Sequence, residues 1–202
     1  MTTGPACRLL LATTNLGKLA ELRRILAARP GLADTQLLSA ADVALPDVAE
    51  TGDTFAANAL AKARAGVTAC GLACLADDSG LVVDALGGEP GIRSARYAGR
   101  HGDDRANLVL VLERMEGVAE RAARFVCVAA LAGPDGREWT AEGVLEGTLT
   151  KTPRGTNGFG YDPIFQPLGE DRTTAEMAPD EKDAISHRGR AFRAITAAIA
   201  QL

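Results

Sequence analysis

Short apolar runs alternate with amphipathic segments along this 202-residue chain, and that alternation constrains the fold more than any other feature. Residues 8–13 predict a buried strand, and residues 18–29 predict a helix that Pro30-Gly31 ends. Residues 54–70 and 103–115 predict two further helices. Strands that alternate with helices are typical of an α/β fold.

The second half of the chain adds a different pattern. Extended runs over residues 122–132 and 137–149 flank the turn Gly133-Pro134-Asp135-Gly136, which predicts a β-hairpin. A hairpin pairs antiparallel strands, so we expect a mixed sheet rather than a purely parallel one. A last helix is predicted over residues 187–200.

Charge and hydropathy exclude several classes of protein. The formal net charge of −4 opposes general nucleic-acid binding, because such binding needs a cationic surface. The N-terminus lacks the basic region of a signal peptide, and the longest uncharged apolar stretch, residues 65–76, is shorter than the ~20 residues of a membrane-spanning helix. We therefore expect a cytoplasmic protein of one domain, residues 1–202, that binds neither nucleic acid nor membrane.

The four cysteines show no metal-ligand spacing. No Cys-x-x-Cys pair occurs, and only two histidines are present to complete a zinc site. Each cysteine lies among apolar residues, which predicts buried free thiols, with a thiol nucleophile as the alternative. The four are Cys7, Cys70, Cys74 and Cys127.

The segment between the first predicted strand and helix, Thr13-Thr14-Asn15-Leu16-Gly17-Lys18, predicts a phosphate site. A turn into a helix N-terminus directs free backbone N–H groups and the positive end of the helix dipole toward one point. Gly17 permits close approach, and Lys18 adds a charge. The spacing differs from a Walker loop. The alternative is a helix N-cap followed by an exposed lysine.

Carboxylates interrupt an otherwise apolar region. Residues 73–76 and 81–83 predict a buried strand that the turn Asp77-Asp78-Ser79-Gly80 breaks, and Glu50 begins a second turn, Glu50-Thr51-Gly52. Adjacent carboxylates at a strand end repel each other unless a cation lies against them. Mg²⁺ prefers such oxygen ligands, so these turns predict a magnesium site. The alternative is an Asp-rich turn that caps the following strand.

A glycine-rich loop, residues 155–163, concentrates aromatic side chains where regular structure is not expected. Phe159 offers a ring face on which a base can stack. Asp162 is positioned to accept a hydrogen bond from a base edge, and Tyr161 lies between the two. The alternative is an apolar plug beneath a loop.

His187 and Arg188 open the last predicted helix and form a pair of donors suited to a carbonyl oxygen or a phosphate. A general base is the rival role of His187. The alternative is a histidine exposed at the surface.

The chain resembles the inosine/xanthosine triphosphate pyrophosphatases, which hydrolyse deaminated purine nucleoside triphosphates. The resemblance extends from about residue 8 to residue 193, in the order of the family's motifs. It is carried by residues 13–18, Glu50-Thr51-Gly52, residues 76–81, Pro90-Gly91-Ile92-Arg93-Ser94-Ala95-Arg96-Tyr97, Gly158-Phe159-Gly160-Tyr161-Asp162-Pro163 and Ile185-Ser186-His187-Arg188.

The resemblance implies an α/β fold with an elongated, curved, mixed β-sheet flanked by helices. It also implies two lobes with an active-site cleft between them, and a homodimer. The reaction it implies converts ITP, dITP or XTP to the monophosphate and pyrophosphate. The sequence does not rank these three substrates.

The resemblance also assigns residues. Asp78 is implied as the proton acceptor for the attacking water, and Glu50 and Asp78 as the ligands of Mg²⁺. Ala57 occupies a position where many relatives carry Glu, so no third metal carboxylate is assigned there. The residues implied to hold the purine nucleoside triphosphate are Thr13, Thr14, Asn15, Leu16, Gly17, Lys18, Lys62, Ser79, Phe159, Gly160, Tyr161, Asp162, Lys182, His187 and Arg188.

Two other functions stay open on the sequence alone. Another magnesium-dependent nucleotide pyrophosphatase would share the phosphate and metal residues but prefer a different base. A non-catalytic nucleotide-binding module would bind nucleotide without turnover, although the acid pair opposes that interpretation.

Lysine is rare in this chain, since the 22 basic residues include only Lys18, Lys62, Lys151 and Lys182. Three of the four fall in segments assigned to substrate, and Lys62 shares a face of its predicted helix with Asn58. An ammonium group can approach a phosphate where the wider guanidinium does not fit. We therefore expect these three positions to require lysine, whereas Lys151 has no assigned role.

Overall fold

The computed structural model describes residues 8–28, 35–199 and 201, which form eleven helices and strands apart from short 3-10 turns. These elements are β1 (Arg8–Leu11), α1 (Leu16–Ala27), β2 (Gln36–Ser39), α2 (Phe55–Cys70), β3 (Ala73–Val83), α3 (Asp104–Arg114), β4 (Ala122–Ala132), β5 (Glu138–Leu149), β6 (Phe165–Pro167), α4 (Pro179–Ile185) and α5 (His187–Ile199).

The strands form one six-stranded sheet in the order β2-β1-β3-β4-β5-β6. β1 pairs in parallel with β2 and β3, whereas β5 and β6 are antiparallel. The predicted turn joins β4 to β5, and the N–H of Gly133 donates to the carbonyl of Arg137 at 2.9 Å. The predictions of an α/β fold and a mixed sheet are confirmed.

Local signals at the helix ends explain why the helix predictions agree with the structure. The Thr54 side chain caps α2 by accepting from the N–H of Ala57, and Gly71 ends this helix with a φ of 68°. Asp103 caps α3 in the same way. α1 begins two residues before its predicted start. Its predicted end at Arg29 and Pro30-Gly31 lies outside the described residues. The same holds for Ala200, the predicted end of α5.

One predicted break in a strand was wrong. Residues 77–80 lie inside the continuous strand β3 and not in a turn. Sequence reasoning placed the charged pair Asp77-Asp78 at a turn because two buried carboxylates are costly. In the structure, cationic and amide side chains compensate both carboxylates, so the strand does not need to open toward water. The short strands β2 and β6 and the helix α4 were not predicted.

The chain divides into two compact units. The first comprises the described residues within Met1–Asp78, Val128–Glu142 and Arg188–Leu202, and the second comprises Ser79–Cys127 and Gly143–His187. No described helix has the length and apolar character needed to cross a membrane.

Small side chains fill the core of the first unit. Ala59 and Ala63 of α2 are buried against strand residues such as Leu10 and Cys74. At Gly66, a Cβ atom would lie 2.3 Å from the Sγ atom of Cys74. The alanine-rich composition of α2 therefore allows the helix to pack closely on the sheet.

The core of the second unit contains larger side chains. Phe125 and Phe165 pack with ring centroids 4.4 Å apart, and Tyr161 and Ile164 are buried in the same cluster. The loop that carries Tyr161 is thus anchored in this core.

The cysteines that the structure describes are free thiols, and two of the three are fully buried. Burial raises the pKa of the Cys74 thiol to about 12. Such a thiol is not a nucleophile at neutral pH, which supports the prediction that Cys74 is a buried free thiol. Cys7 lies outside the described residues.

Candidate active site

In the first unit, Asp77 lies between two cations. The Nζ atom of Lys18 is 3.0 Å from its Oδ2 atom, and the Nε atom of Arg188 is 3.4 Å from the same oxygen. Arg188 also donates to the buried carboxylate of Glu21. We call Lys18, Asp77, Arg188 and Glu21 the ion-pair series. Burial alone would raise the pKa of Asp77, but the positive charges around it, chiefly Lys18 and Arg188, outweigh burial and hold that pKa far below its usual range.

Asp78 has a different environment. The Nδ2 atom of Asn58 donates to its Oδ2 atom at 3.0 Å, and the Nζ atom of Lys62 lies 3.6 Å from its Oδ1 atom. Burial raises the pKa of Asp78; the charge of Lys62 opposes this shift, and the charge of Glu50 adds to it. The net shift is upward, which makes this carboxylate a stronger proton acceptor than an exposed aspartate.

Lys62 contacts two carboxylates at once, because its Nζ atom is also 2.7 Å from the Oε1 atom of Glu50. Burial lowers the pKa of Lys62, but the negative charges of Asp77, Asp78 and Glu50 outweigh burial and raise it. The side chain therefore carries a positive charge at neutral pH. The predicted shared face of Asn58 and Lys62 is confirmed, since both side chains reach Asp78.

Glu50 and Asp78 are hard oxygen donors that approach one cation, the ammonium group of Lys62. Among the described residues, no group of three or more His, Cys, Asp or Glu side chains is placed to hold a metal ion. Mg²⁺ commonly takes only one or two protein carboxylates and completes its shell with water and phosphate oxygens. This donor pair therefore fits Mg²⁺ better than a metal that needs a complete protein shell.

The segment 13–18 joins β1 to α1. The sequence left two interpretations of it open, a phosphate site and a helix N-cap followed by an exposed lysine. Asn15 caps the helix, since its Oδ1 atom accepts from the N–H of Lys18 at 3.0 Å, and the N–H of Asn15 donates to the hydroxyl of Thr13. The side chain of Lys18 is only 17% exposed, so it is not the exposed lysine of the alternative interpretation. Thr14 and Leu16 are exposed, and Gly17 is partly buried.

In the second unit, the carboxylate of Asp162 fixes the glycine-rich loop. Its Oδ2 atom accepts from the N–H of Phe159 at 2.8 Å and from Lys182 Nζ at 2.6 Å, and its Oδ1 atom accepts from the hydroxyl of Thr174 at 2.8 Å. At Gly158, a Cβ atom would lie 2.0 Å from Asp162 Oδ2. Asp162 is thus engaged by its own surroundings, and its contact with a base stays a prediction.

The aromatic residues of this loop have two different environments. Phe159 is partly exposed, and the ammonium of Lys182 lies 5.1 Å from its ring centroid. Tyr161 is buried, and its hydroxyl donates to the carbonyl of Ser94 at 2.8 Å. Gly160 donates its N–H to Asp104 Oδ2 at 2.8 Å. Tyr161 therefore anchors the loop, whereas the partly exposed Phe159 does not belong to the buried core.

His187 is 4% exposed, which excludes the interpretation as a surface histidine. Its ring stacks on Phe125 with centroids 4.7 Å apart and an interplanar angle of 13°. His187 ends the second unit, and Arg188 begins a segment of the first, where it faces Asp77 and Glu21. Ser79 follows Asp78 on β3 and is partly buried.

Three residues of these clusters were assigned no role from the sequence, although Asn58 was placed on the helix face of Lys62. Glu21 follows Lys18 by one turn of α1. The one feature of the sequence that could have indicated it is that this charged residue stands next to Leu22, on the apolar side of the helix. Asn58 bridges Asp78 and the N–H of Gly52, and it precedes Lys62 by one turn. Thr174 lies in a short turn that begins with the capping box of Thr173 and Glu176, a pattern that indicates the turn but not the contact with Asp162.

Comparison with known proteins gives a consistent result over nearly the whole chain. The Ham1 family profile matches residues 9–198. A protein of Streptomyces avermitilis named dITP/XTP pyrophosphatase is 58% identical over 197 residues, covering 96% of this chain and 98% of the relative.

Solved structures agree with the sequence comparison. A HAM1 protein from Coxiella burnetii has a TM-score of 0.85 and 40% identity, covering 97% of this chain and 100% of that one. A nucleoside-triphosphatase / dITP/XTP pyrophosphatase from Mycobacterium abscessus has a TM-score of 0.73 and 51% identity, covering 93% and 98%.

Proposed function

Because the chain belongs to the Ham1 family, we propose that it is a nucleoside triphosphate pyrophosphatase that hydrolyses ITP, dITP and XTP to the monophosphate and pyrophosphate. The observation that carries the proposal is the cluster in which Glu50 and Asp78 approach one cation, with Asp78 held by Asn58. Such a cluster provides a proton acceptor and metal ligands, which a binding module does not require. Deaminated purine nucleotides are thereby removed from the nucleotide pool.

Asp78 is the proton acceptor in this proposal. A water oxygen attacks the α-phosphorus, Asp78 takes the proton of that water, and the bond to the bridging oxygen breaks as pyrophosphate leaves. The raised pKa of Asp78 supports the role, because general bases are most effective when their pKa lies nearer the working pH.

The metal assigned to this site is Mg²⁺, held by Glu50 and Asp78. When bound, it neutralises charge that develops on the phosphate oxygens. Lys18 and Lys62 add positive charge, and the N-terminus of α1, to which residues 13–18 lead, adds the positive end of the helix dipole. Ser79 and Lys182 are further substrate contacts in the proposal.

The base is assigned to the loop Phe159-Gly160-Tyr161-Asp162 together with His187 and Arg188. The partly exposed ring of Phe159 supports stacking with a purine. A 6-keto purine accepts hydrogen bonds from donors such as those of His187 and Arg188. The amino group of adenine would meet these donors with its own N–H, so ATP is expected to be a poor substrate.

Two further properties belong to the proposal. A homodimer is expected from the family resemblance, and gel filtration with light scattering tests it. Action in the cytoplasm is expected because nucleoside triphosphates are used there.

The decisive assay is product identification with a panel of purine triphosphates in the presence of Mg²⁺. ITP is expected to give IMP and pyrophosphate, with a higher kcat/KM than ATP. Release of orthophosphate with IDP would contradict the cleavage position. Preference for a damaged pyrimidine would favour another pyrophosphatase, and binding without turnover would favour a non-catalytic module.

A further inference from the structure

The Lys62 ammonium contacts both carboxylates to which the metal is assigned. Its Nζ atom lies 2.7 Å from Glu50 Oε1 and 3.6 Å from Asp78 Oδ1. Two carboxylates that approach a common point attract one cation, and in this structure the cation is the protein's own ammonium group. Mg²⁺ held by the same two carboxylates would meet a positive charge at short range, where repulsion is strong.

Asn58 holds the Asp78 carboxylate and the loop that carries Glu50. Asn58 is 1% exposed, and its amide donates to Asp78 and accepts from the N–H of Gly52 at 2.8 Å. A Cβ atom at Gly52 would lie 2.8 Å from the Oδ1 atom of Asn58, so the loop that carries Glu50 packs closely on α2. Lys62 reaches the cluster through a flexible four-carbon chain. The ammonium is therefore the group that moves when a second cation arrives.

We propose that Lys62 is a built-in counterion of the metal site, which it neutralises in the metal-free enzyme and leaves when Mg²⁺ binds to Glu50 and Asp78. The inference rests on the proposed function, because it uses the assignment of Mg²⁺ to Glu50 and Asp78. The triphosphate gives the displaced ammonium a new anionic partner. Binding of the nucleotide and of Mg²⁺ is then coupled, and each increases the affinity for the other.

The test measures Mg²⁺ affinity without nucleotide, by calorimetric titration with MgCl₂. Relative to wild type, Lys62→Met is expected to lower the dissociation constant for Mg²⁺ about tenfold or more, because a competing charge at the same carboxylates is gone. Lys151→Met is the matched control, since Lys151 is exposed and the loss of charge is the same. Its affinity should equal that of wild type.

Lys18→Met distinguishes a specific counterion from a general charge effect. Lys18 pairs with Asp77 at 3.0 Å, and its charge affects Asp78 less than the charge of Lys62 does, so its removal should change Mg²⁺ affinity much less than removal of Lys62. Equal gains in the two variants would overturn the inference. No gain in Lys62→Met would also overturn it, while pyrophosphate release from ITP by the wild-type protein, measured separately, decides the proposed function.

A measurement on the wild-type protein avoids any dependence on the folding of a variant. Four lysines give a simple spectrum when lysine alone carries ¹⁵N at Nζ, and Lys→Arg variants assign the signals. Titration with MgCl₂ should shift the Lys62 signal and leave the Lys151 signal in place. A Lys62 signal that stays unchanged at saturating Mg²⁺ would refute displacement.

Discussion

Glu21→Gln should unfold at a markedly lower temperature than wild type, because Glu21 ends the buried ion-pair series. The side chains of Glu21, Arg188 and Asp77 are 5%, 3% and 1% exposed. Removing one partner of a buried ion pair costs about 3–5 kcal/mol of unfolding free energy, since the remaining charge is left without compensation. Arg188 retains Asp77, so we expect the lower end, about 3 kcal/mol. For a chain of this size that corresponds to a fall in Tm of about 6–12 °C.

Glu138→Gln is the matched control for this prediction. It makes the same chemical change in a bidentate pair with Arg64, whose N–O distances are 2.6 and 2.7 Å. That pair is exposed, so its loss should cost at most about 1 kcal/mol and move Tm by no more than about 4 °C. The assay is thermal unfolding by calorimetry at pH 7.5. Equal shifts in Glu21→Gln and Glu138→Gln would refute the argument that burial makes the series important for stability.

Three further predictions concern the pH dependence of stability, the packing of α2 and the position of the glycine-rich loop. Folding lowers the pKa of Asp77, so the ionised carboxylate stabilises the fold above its unfolded pKa near 3.8, and this stabilisation is lost as the pH falls below that value. On acidification below about pH 4, the Tm of wild type should therefore fall further than the Tm of Asp77→Asn. Gly66→Ala should destabilise the fold by about 1–3 kcal/mol in urea titrations, since its Cβ would meet the Sγ atom of Cys74, and adding Cys74→Ala should recover part of the loss. Thr174→Val should raise KM for ITP more than it lowers kcat, because Asp162 loses a hydroxyl donor, whereas Thr174→Ser should resemble wild type; equal kinetics in both variants would contradict a positioning role.

Local patterns were sufficient to predict much of the fold. α2, α3 and the β4–β5 hairpin have caps or turn residues within a few positions of their ends. Such signals act through neighbouring residues, so they are visible in a single sequence. The short strands β2 and β6 have no comparable signal, and pairing with β1 or β5 defines them.

The candidate site was predictable in its residue types but not in its pairings. Glu21 and Arg188 are 167 positions apart, and no local pattern connects them. The break predicted at Asp77-Asp78 was wrong for the same reason, because the cations that compensate these acids come from elsewhere in the chain.

The rare lysines show how the structure refines a sequence prediction. Lys18, Lys62 and Lys182 were predicted to serve the substrate, and in the structure all three contact a carboxylate of the candidate site. Lys151 is exposed. The prediction that the first three positions require lysine stays open to test by Lys→Arg variants.

Turnover of ITP by Asp78→Asn tests the account most directly. In the presence of Mg²⁺, we expect release of pyrophosphate to fall about 10²–10⁴-fold, the usual contribution of a general base, while ITP still raises the Tm of the variant. Asp84→Asn is the control, because Asp84 is an exposed acid six residues further along the chain and should keep wild-type turnover. Normal pyrophosphate release by Asp78→Asn would contradict the assignment of Asp78 as the proton acceptor.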